Sequence, residues 1–305
     1  MVSLVSQNEP SMSKDIAAPA CVVLAGGLSP SPLARDTGLS VLDLWAGNDV
    51  GTVAQSWAKA FGRGIGGDAR VLCLYGDPVP APGLEQVEFD RLDDASPYRG
   101  PAGALSDARA RIDADEIVVV EGARLLSSGI GRLIEHHRQS EALVTVARDP
   151  QGSPAGVYAI RAEALDEVPP RGFMDLKEQW LNKLLAAGKR VVVHEIAGRS
   201  LLLKTREDFL DAVLQLAGKR SAGENRLVCD SRTLHGFGSH RSEVAADARV
   251  EPGAVVVDSV VMPGAVVQAG SVVVRSLVGP RALVETGTRL VDGCVFERGV
   301  SPQNG

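Results

Sequence analysis

Three short stretches carry residue types that could handle a nucleotide or a phosphate. The first is Val22-Val23-Leu24-Ala25-Gly26-Gly27, an apolar run that ends in a glycine pair. Two β-branched residues and a leucine suit a strand covered on both faces. Glycines without Cβ atoms let backbone N–H groups approach an anion. The residues that follow, Leu28-Ser29-Pro30-Ser31-Pro32-Leu33, hold two prolines and no basic side chain. The second stretch is Gly100-Pro101-Ala102-Gly103-Ala104-Leu105, a turn leading into a helix, with Arg99 beside it as the remaining cation for an anionic ligand. The third is Glu121-Gly122-Ala123 at the end of an apolar run, where Glu121, with Asp77 and Asp36, supplies a carboxylate that could hold a metal.

These stretches need a frame. Buried strands are expected at Cys21–Leu24, Arg70–Tyr75, Glu116–Val120, Ala142–Ala147, Gly156–Ile160 and Arg190–Ile196, with a short strand or packing segment at Leu39–Leu44. Helices are expected at Asp49–Phe61, from Gly100 to about Arg111, at Ile130–His137, at Phe173–Ala187, and at Arg206–Gln215 with Thr205 as N-cap. Gly62-Arg63-Gly64-Ile65-Gly66-Gly67 lacks a preceding strand and reads as a helix end and loop, not a dinucleotide fingerprint. His136 and His137, among Glu135 and Arg138, read as a solvated helix face, and Trp180 and Leu181 as core. Strand–helix alternation of this kind builds an α/β domain with a mostly parallel sheet.

The 305 residues are 45% hydrophobic and 23% charged, with room for a sizeable core. A net charge of −6 supplies no basic field for nucleic acid, although a local basic pocket remains compatible with it. Cys21, Cys73, Cys229 and Cys294 form no CxxC pair, and the two in strands read as buried thiols. No apolar stretch is long enough to span a bilayer, and residues 1–19 lack a signal-peptide core, so the chain reads as cytoplasmic, with a disordered lead-in and no membrane partner.

After a polar stretch at 218–243 the pattern changes. Val244, Val250, Val261, Val267, Val278, Val284 and Leu290 each open a hexad whose fifth residue is small in most cases. One-residue slips at Asp258-Ser259-Val260 and Arg275-Ser276-Leu277 recur seventeen apart. A period of six with aliphatic corners is a parallel β-helix, three flat hexads to a coil. The organisation expected is a nucleotide-handling domain over 20–217, a linker over 218–243 and about three coils over 244–301, a module suited to oligomerisation or packing.

Taken in order, these stretches resemble the sugar-1-phosphate nucleotidyltransferases, or NDP-sugar pyrophosphorylases, of the mannose-1-phosphate guanylyltransferase kind. The resemblance implies a Rossmann-like catalytic domain and a short left-handed β-helix of hexapeptide repeats. It assigns Leu24, Ala25, Gly26 and Gly27 to the nucleotide loop, with Gly100, Ala102 and Gly103 near the base. It places Gly122, Ala155 and Gly156, with Arg99, on the sugar-phosphate side. Asp175-Leu176-Lys177-Glu178-Gln179 and Lys204-Thr205-Arg206-Glu207-Asp208-Phe209 are similar to later family segments.

The family joins the α-phosphate of a nucleoside triphosphate to a sugar 1-phosphate and releases pyrophosphate, which requires cations, a carboxylate-held metal and a base on the sugar phosphate. This chain departs at five positions. Ser29-Pro30-Ser31-Pro32 stands where the family has a phosphate-binding Arg, and Gly38-Leu39 where it has Pro-Lys. Ala123 and the neighbourhood of Leu202 replace two metal-binding Asp residues, and Asp149-Pro150 replaces a turn with the sugar-phosphate Lys. Arg35, Asp36 and Glu121 lie near enough to substitute.

Three functions follow. One is a catalytically impaired relative that binds a nucleotide sugar or sugar 1-phosphate, as a homo-oligomer or beside an active paralogue through the β-helix. Another is an active, Mg²⁺-dependent enzyme that uses displaced side chains. The third is a hexapeptide acyltransferase, disfavoured because none of the five histidines lies in the hexads, His235 and His240 preceding them.

Overall fold

The computed structural model describes residues 18–65, 70–76, 80–84, 87, 89–93, 97–217 and 242–296. Most of the lead-in and of the 218–243 stretch, and Asp77, His235 and His240 with them, lie outside the described residues.

The first domain alternates strands and helices: β1 (Ala20–Leu24), α1 (Pro32–Thr37), α2 (Val53–Gly64), β2 (Val71–Tyr75), β3 (Asp90–Asp93), α3 (Gly100–Ile112), β4 (Glu116–Glu121) and β5 (Arg124–Leu126). It continues with α4 (Gly131–Ser140), β6 (Val144–Arg148), β7 (Pro154–Arg161), α5 (Leu181–Ala186), β8 (Val191–Glu195), β9 (Ser200–Leu202) and α6 (Arg206–Leu216). Seven strands form one sheet in the order β3-β2-β1-β4-β7-β6-β8. Six run in one direction; β7 runs against both β4 and β6. The order turns back between β1 and β4, which opens a crevice at the carboxyl ends of those strands.

Alternation along β1 decides the two cores. Cys21 and Val23 face α2, α4 and α6, while Ala20 and Val22 face α3 and α5. Val22 and Val23 are both fully buried, each burial contributing roughly 1.5–3 kcal/mol. Burial pushes the Cys21 and Cys73 thiols up to about 12, so both stay protonated. Thr52 and Gln55 close a capping box on α2, and Thr205 and Asp208 close one on α6. α3 ends in a left-handed Asp113.

Several expectations change. Leu39–Leu44 is the packing segment and not a strand, with Leu42 and Leu44 buried around a 3-10 turn, Val41–Asp43. The unforeseen α1 forms because Ser31 caps it and Pro32 occupies its first turn. The helix expected from Phe173 starts only at Leu176, with a single π turn, Leu176–Trp180, running into α5. His137 is not solvated: it is buried against Thr145, with Nδ1 2.8 Å from Oγ1. Burial lowers its pKa, helped by the charges of Arg161 and Arg138 against Glu116, so the ring is held neutral.

The second domain is a column of short parallel strands: β10 (Glu243–Val244), β11 (Arg249–Val250), β12 (Val255–Val257), β13 (Val260–Val261), β14 (Val266–Val267), β15 (Val272–Val274), β16 (Leu277–Val278), β17 (Leu283–Val284), β18 (Arg289–Val291) and β19 (Cys294–Val295). They stack on three faces. Glu243 stands beside Val260, and Val260 beside Leu277, so a coil takes seventeen residues. Two sides are hexads; the third is one residue short. Its corner residues, Asp258, Arg275 and Asp292, adopt φ near +45 to +50 and make the tighter turn. Buried Ser242, Ser259 and Ser276 stack at the same corner, each Oγ accepting the N–H seventeen residues on.

The two domains share a core. Ala245, Val260, Met262 and Leu277 pack in one apolar cluster with Trp45, Ala46 and Phe209. Asn48 donates through its backbone N and Nδ2 to Glu243 Oε1, and its Oδ1 accepts from Ala246 N.

Candidate functional site

The crevice at the end of β1 contains two neighbouring features. The first is a cavity of about 330 Å³ lined by Leu24, Gly26, Gly27, Leu28, Ser29, Leu74, Gly100, Pro101, Ala104 and Phe173. Four of the expected nucleotide residues, Leu24, Gly26, Gly27 and Gly100, therefore meet there. Gly26 is not in the left-handed region, and a Cβ on it would make only ordinary contact, 3.5 Å from Gly76 N. The backbone does not demand a glycine there.

The other expected residues do different work. Ala102 is buried in the core beneath the cavity. Ala25 packs against the opposite core, its N–H donating to Leu74 O. Gly100 has φ +69, and a Cβ on it would lie 2.7 Å from Met174 O and 2.9 Å from the Phe173 ring. Gly103 makes room for Arg99, whose Cβ would be 2.9 Å from any side chain placed there. Arg99 does not line the cavity. It is 8% exposed; Nε and Nη2 donate to the Asp107 carboxylate at 2.8 and 3.0 Å, Nη1 to Gly172 O at 2.8 Å, and Nη2 to Pro169 O at 2.9 Å. The expected anion-binding arginine is thus a clamp on the Pro169–Met174 loop.

The second feature is a charged cluster at the end of β4, whose Glu121 pairs in register with Leu24. Glu121 Oε1 accepts from Lys177 Nζ at 2.6 Å and from Tyr158 Oη at 3.1 Å; Oε2 accepts from Arg124 Nε at 2.8 Å. Arg124 Nη1 reaches Ser200 Oγ at 3.2 Å, and Ser200 donates to Ala155 O at 2.7 Å. Gly156, at φ +68, lies beneath Arg124, where a Cβ would come within 2.4 Å of Nε. Burial works to raise the Glu121 pKa, but Lys177 and Arg124 outweigh it and hold the carboxylate below its ordinary range. The Tyr158 hydroxyl shifts the other way, raised by burial and by the Glu121 charge.

Gly156 of the expected sugar-phosphate side meets Glu121 here, and Ala155 is linked to Arg124 through Ser200, while Gly122 is packed tightly between β1 and Leu42, its O accepting from Trp57 Nε1. Arg124 and Lys177 were not anticipated. Lys177 lies in a segment singled out for resemblance alone, two residues after the capping Asp175; Arg124 carried no sequence signal beyond its place three residues from Glu121.

The donor set does not fit a divalent metal. Glu121 is already neutralised by two cations, and among the described residues no three His, Cys, Asp or Glu side chains converge. Arg35 and Asp36 do not substitute either. They face a separate cavity of about 870 Å³ between α1 and the last coil, with Arg281, Cys294 and Phe296. Asp149 is buried, its Oδ1 accepting from Gln151 N and Ser153 N in the β6–β7 turn. Leu202 lies on β9, partly exposed.

The sheet order, the crevice beside β1 and the hexad column together give this chain the fold of the sugar-1-phosphate nucleotidyltransferases. Among solved structures, it is similar to one named as a glucose-1-phosphate thymidylyltransferase from Bacillus anthracis, in complex with sucrose. The TM-score is 0.54 and the identity 16%, over 68% of this chain and 98% of that one. No family model matches the sequence, and no curated protein does. No helix among the described residues is long and apolar enough to cross a membrane.

Proposed function

We propose that this protein binds a nucleotide sugar or a sugar 1-phosphate in the β1 crevice and does not carry out metal-dependent nucleotidyl transfer. The observation that carries this reading is Glu121. It stands two residues before Ala123, where the resemblance expects a metal-binding carboxylate, and its oxygens are held by Lys177 and Arg124. The cavity beside it keeps an apolar wall and three glycines, and the similar structure from Bacillus anthracis holds a sugar. Lys177 and Arg124 are the cations available to a sugar phosphate, which must compete with Glu121 for them. The β-helix, sharing a core with the first domain, is then a surface for a second copy or an active paralogue.

The test is ligand-dependent melting with nucleoside triphosphates, nucleotide sugars and sugar 1-phosphates, with and without Mg²⁺, since binding to the native state raises Tm by mass action. The expected result is a rise with nucleotide sugar or sugar 1-phosphate that is indifferent to Mg²⁺, and no pyrophosphate release. A Mg²⁺-dependent rise with a triphosphate, together with pyrophosphate release, would establish the alternative, an active pyrophosphorylase in which Glu121 leaves both cations. No rise with any ligand would leave a scaffold.

A further inference from the structure

The seven-stranded sheet has two open edges, and they are built differently. β3, at one edge, reads Asp90-Arg91-Leu92-Asp93, and charges along an edge discourage another chain from pairing with it. β8, at the other edge, reads Val191-Val192-Val193-His194-Glu195. No charge, proline or register shift interrupts its three valines, and Val193 is 58% exposed. An edge of that composition is a template for a further strand.

The backbone bonds of β8 identify its open groups. Arg190 O accepts from Leu143 N, and Ile196 N donates to Arg148 O, so both residues turn their backbone toward β6. Successive residues of a strand alternate in this respect. Val192 and His194 therefore also face β6, while Val191, Val193 and Glu195 point their N–H and C=O groups outward. Among the described residues, no neighbouring segment bonds to those groups. Val191 packs on the α3 and α5 face, and alternation puts the Val193 and Glu195 side chains on that face too. Leu185, 55% exposed, belongs to α5, which packs on the same side. The strand is oppositely charged at its ends, with Lys189-Arg190 before it and Glu195 at its close. Lys189 reaches Glu167 at 3.7 Å and Glu195 reaches Arg148 at 3.2 Å, and both Lys189 and Glu195 stay half-exposed. Two such strands side by side in one direction set like charges together; antiparallel, they set unlike charges together.

We infer that β8 pairs antiparallel with β8 of a second copy of this chain, about a two-fold axis through Val193. The register that joins all three outward N–H groups of each copy to carbonyls places Val193 opposite Val193 and Val191 opposite Glu195. Lys189 then lies diagonal to Glu195, within reach of its long side chain. On the other face Val192 meets His194, whose ring lies 4.9 Å from that of His136. The contact is isologous, joins two seven-stranded sheets into one, and covers Val193 and Leu185 of both copies. It is separate from the column and does not depend on what the crevice binds.

The experiment is sedimentation velocity of the full chain over micromolar concentrations, joined to cross-linking. Wild type is expected to be a dimer. Val193→Lys should raise the dissociation constant roughly hundred-fold, because like charges then face each other across the axis. Its circular dichroism should match wild type, since the position is exposed. Directly opposed, hydrogen-bonded residues of antiparallel strands have Cα atoms about 5.5 Å apart, within reach of a disulfide. Mild oxidation should therefore link Val193→Cys into a covalent dimer, and should not link wild type or Val192→Cys. A wild-type monomer throughout would overturn the inference. So would a dimer that survives Val193→Lys, which would move the contact to the column or to another surface. A dimer whose Val193→Cys form does not cross-link would overturn it as well.

Discussion

At Glu121, burial and charge pull in opposite directions, and charge prevails. The folded carboxylate therefore titrates below an unfolded glutamate, and the unfolded chain takes up its proton first as the pH falls. The stability supplied by the Lys177 and Arg124 contacts is complete above about pH 4.3 and is lost as pH falls through the lower folded value. Glu121→Gln should cost about 1–2 kcal/mol at neutral pH, since it leaves two cations facing each other. It should also flatten the decline below about pH 4.5, as read from urea midpoints across pH. A variant that declines as steeply as wild type would place the acid sensitivity elsewhere. Legibility at this scale was uneven. The glycines were visible, but their reasons were not: Gly26 lines a cavity, whereas Gly100, Gly103 and Gly156 leave space for Phe173, Arg99 and Arg124. Arg99 looked like a ligand-facing cation because Asp107, its partner eight residues on, becomes a neighbour only once α3 and the turn before it have formed.

The segment from Phe173 to Lys177 joins the two halves of the crevice, supplying a ring to one and an ammonium to the other. Its geometry depends on Asp175, whose Oδ1 accepts from Lys177 N at 2.7 Å and Glu178 N at 2.8 Å. The π turn that follows widens the backbone at this point, a form often found where a site must be shaped. Asp175→Ala should cost about 1 kcal/mol through loss of the cap. It should also weaken glucose 1-phosphate more than that loss explains, because Lys177 is released from its register. Equal affinities in the two proteins would show that Lys177 is held by Glu121 alone. Six strands of the main sheet and most helices were legible because their apolar spacing is regular, and the Thr205 cap because its residue type is specific, whereas β3, β5 and β9, three or four residues long, were not read. The exceptions have local causes. α1 is six residues long, too short for periodicity, and is announced only by Ser31-Pro32. The apolar Phe173 and Met174 extended the apparent helix by two residues beyond its capping Asp175. His137 was hidden by polar neighbours on a helix whose other face is core.

For the whole molecule, the shared apolar cluster and the Asn48–Glu243 contacts make the column part of the first domain's core. A single calorimetric transition is expected, with the van't Hoff and calorimetric enthalpies equal. Met262→Ala should lower its Tm through a buried cavity worth about 2–5 kcal/mol without splitting it. Two separated transitions would mean that the column melts by itself. None of this coupling was readable from sequence, since Trp45 and Met262 lie in separate periodic patterns and meet only across domains. Hexad periodicity revealed the column, but the one-residue slips resolved into a shortened third side only when the left-handed corners at Asp258, Arg275 and Asp292 were seen.

That shortened side sets a rule for how the protein can change in length. Valines and serines return to the same corner only after a full circuit, so adding or deleting one residue would turn every later aliphatic side chain away from the interior. A whole circuit of seventeen can be duplicated or removed with all contacts on either side restored. The column is a counter that advances only in complete turns, and any lineage or designer adjusting its reach must work in that unit.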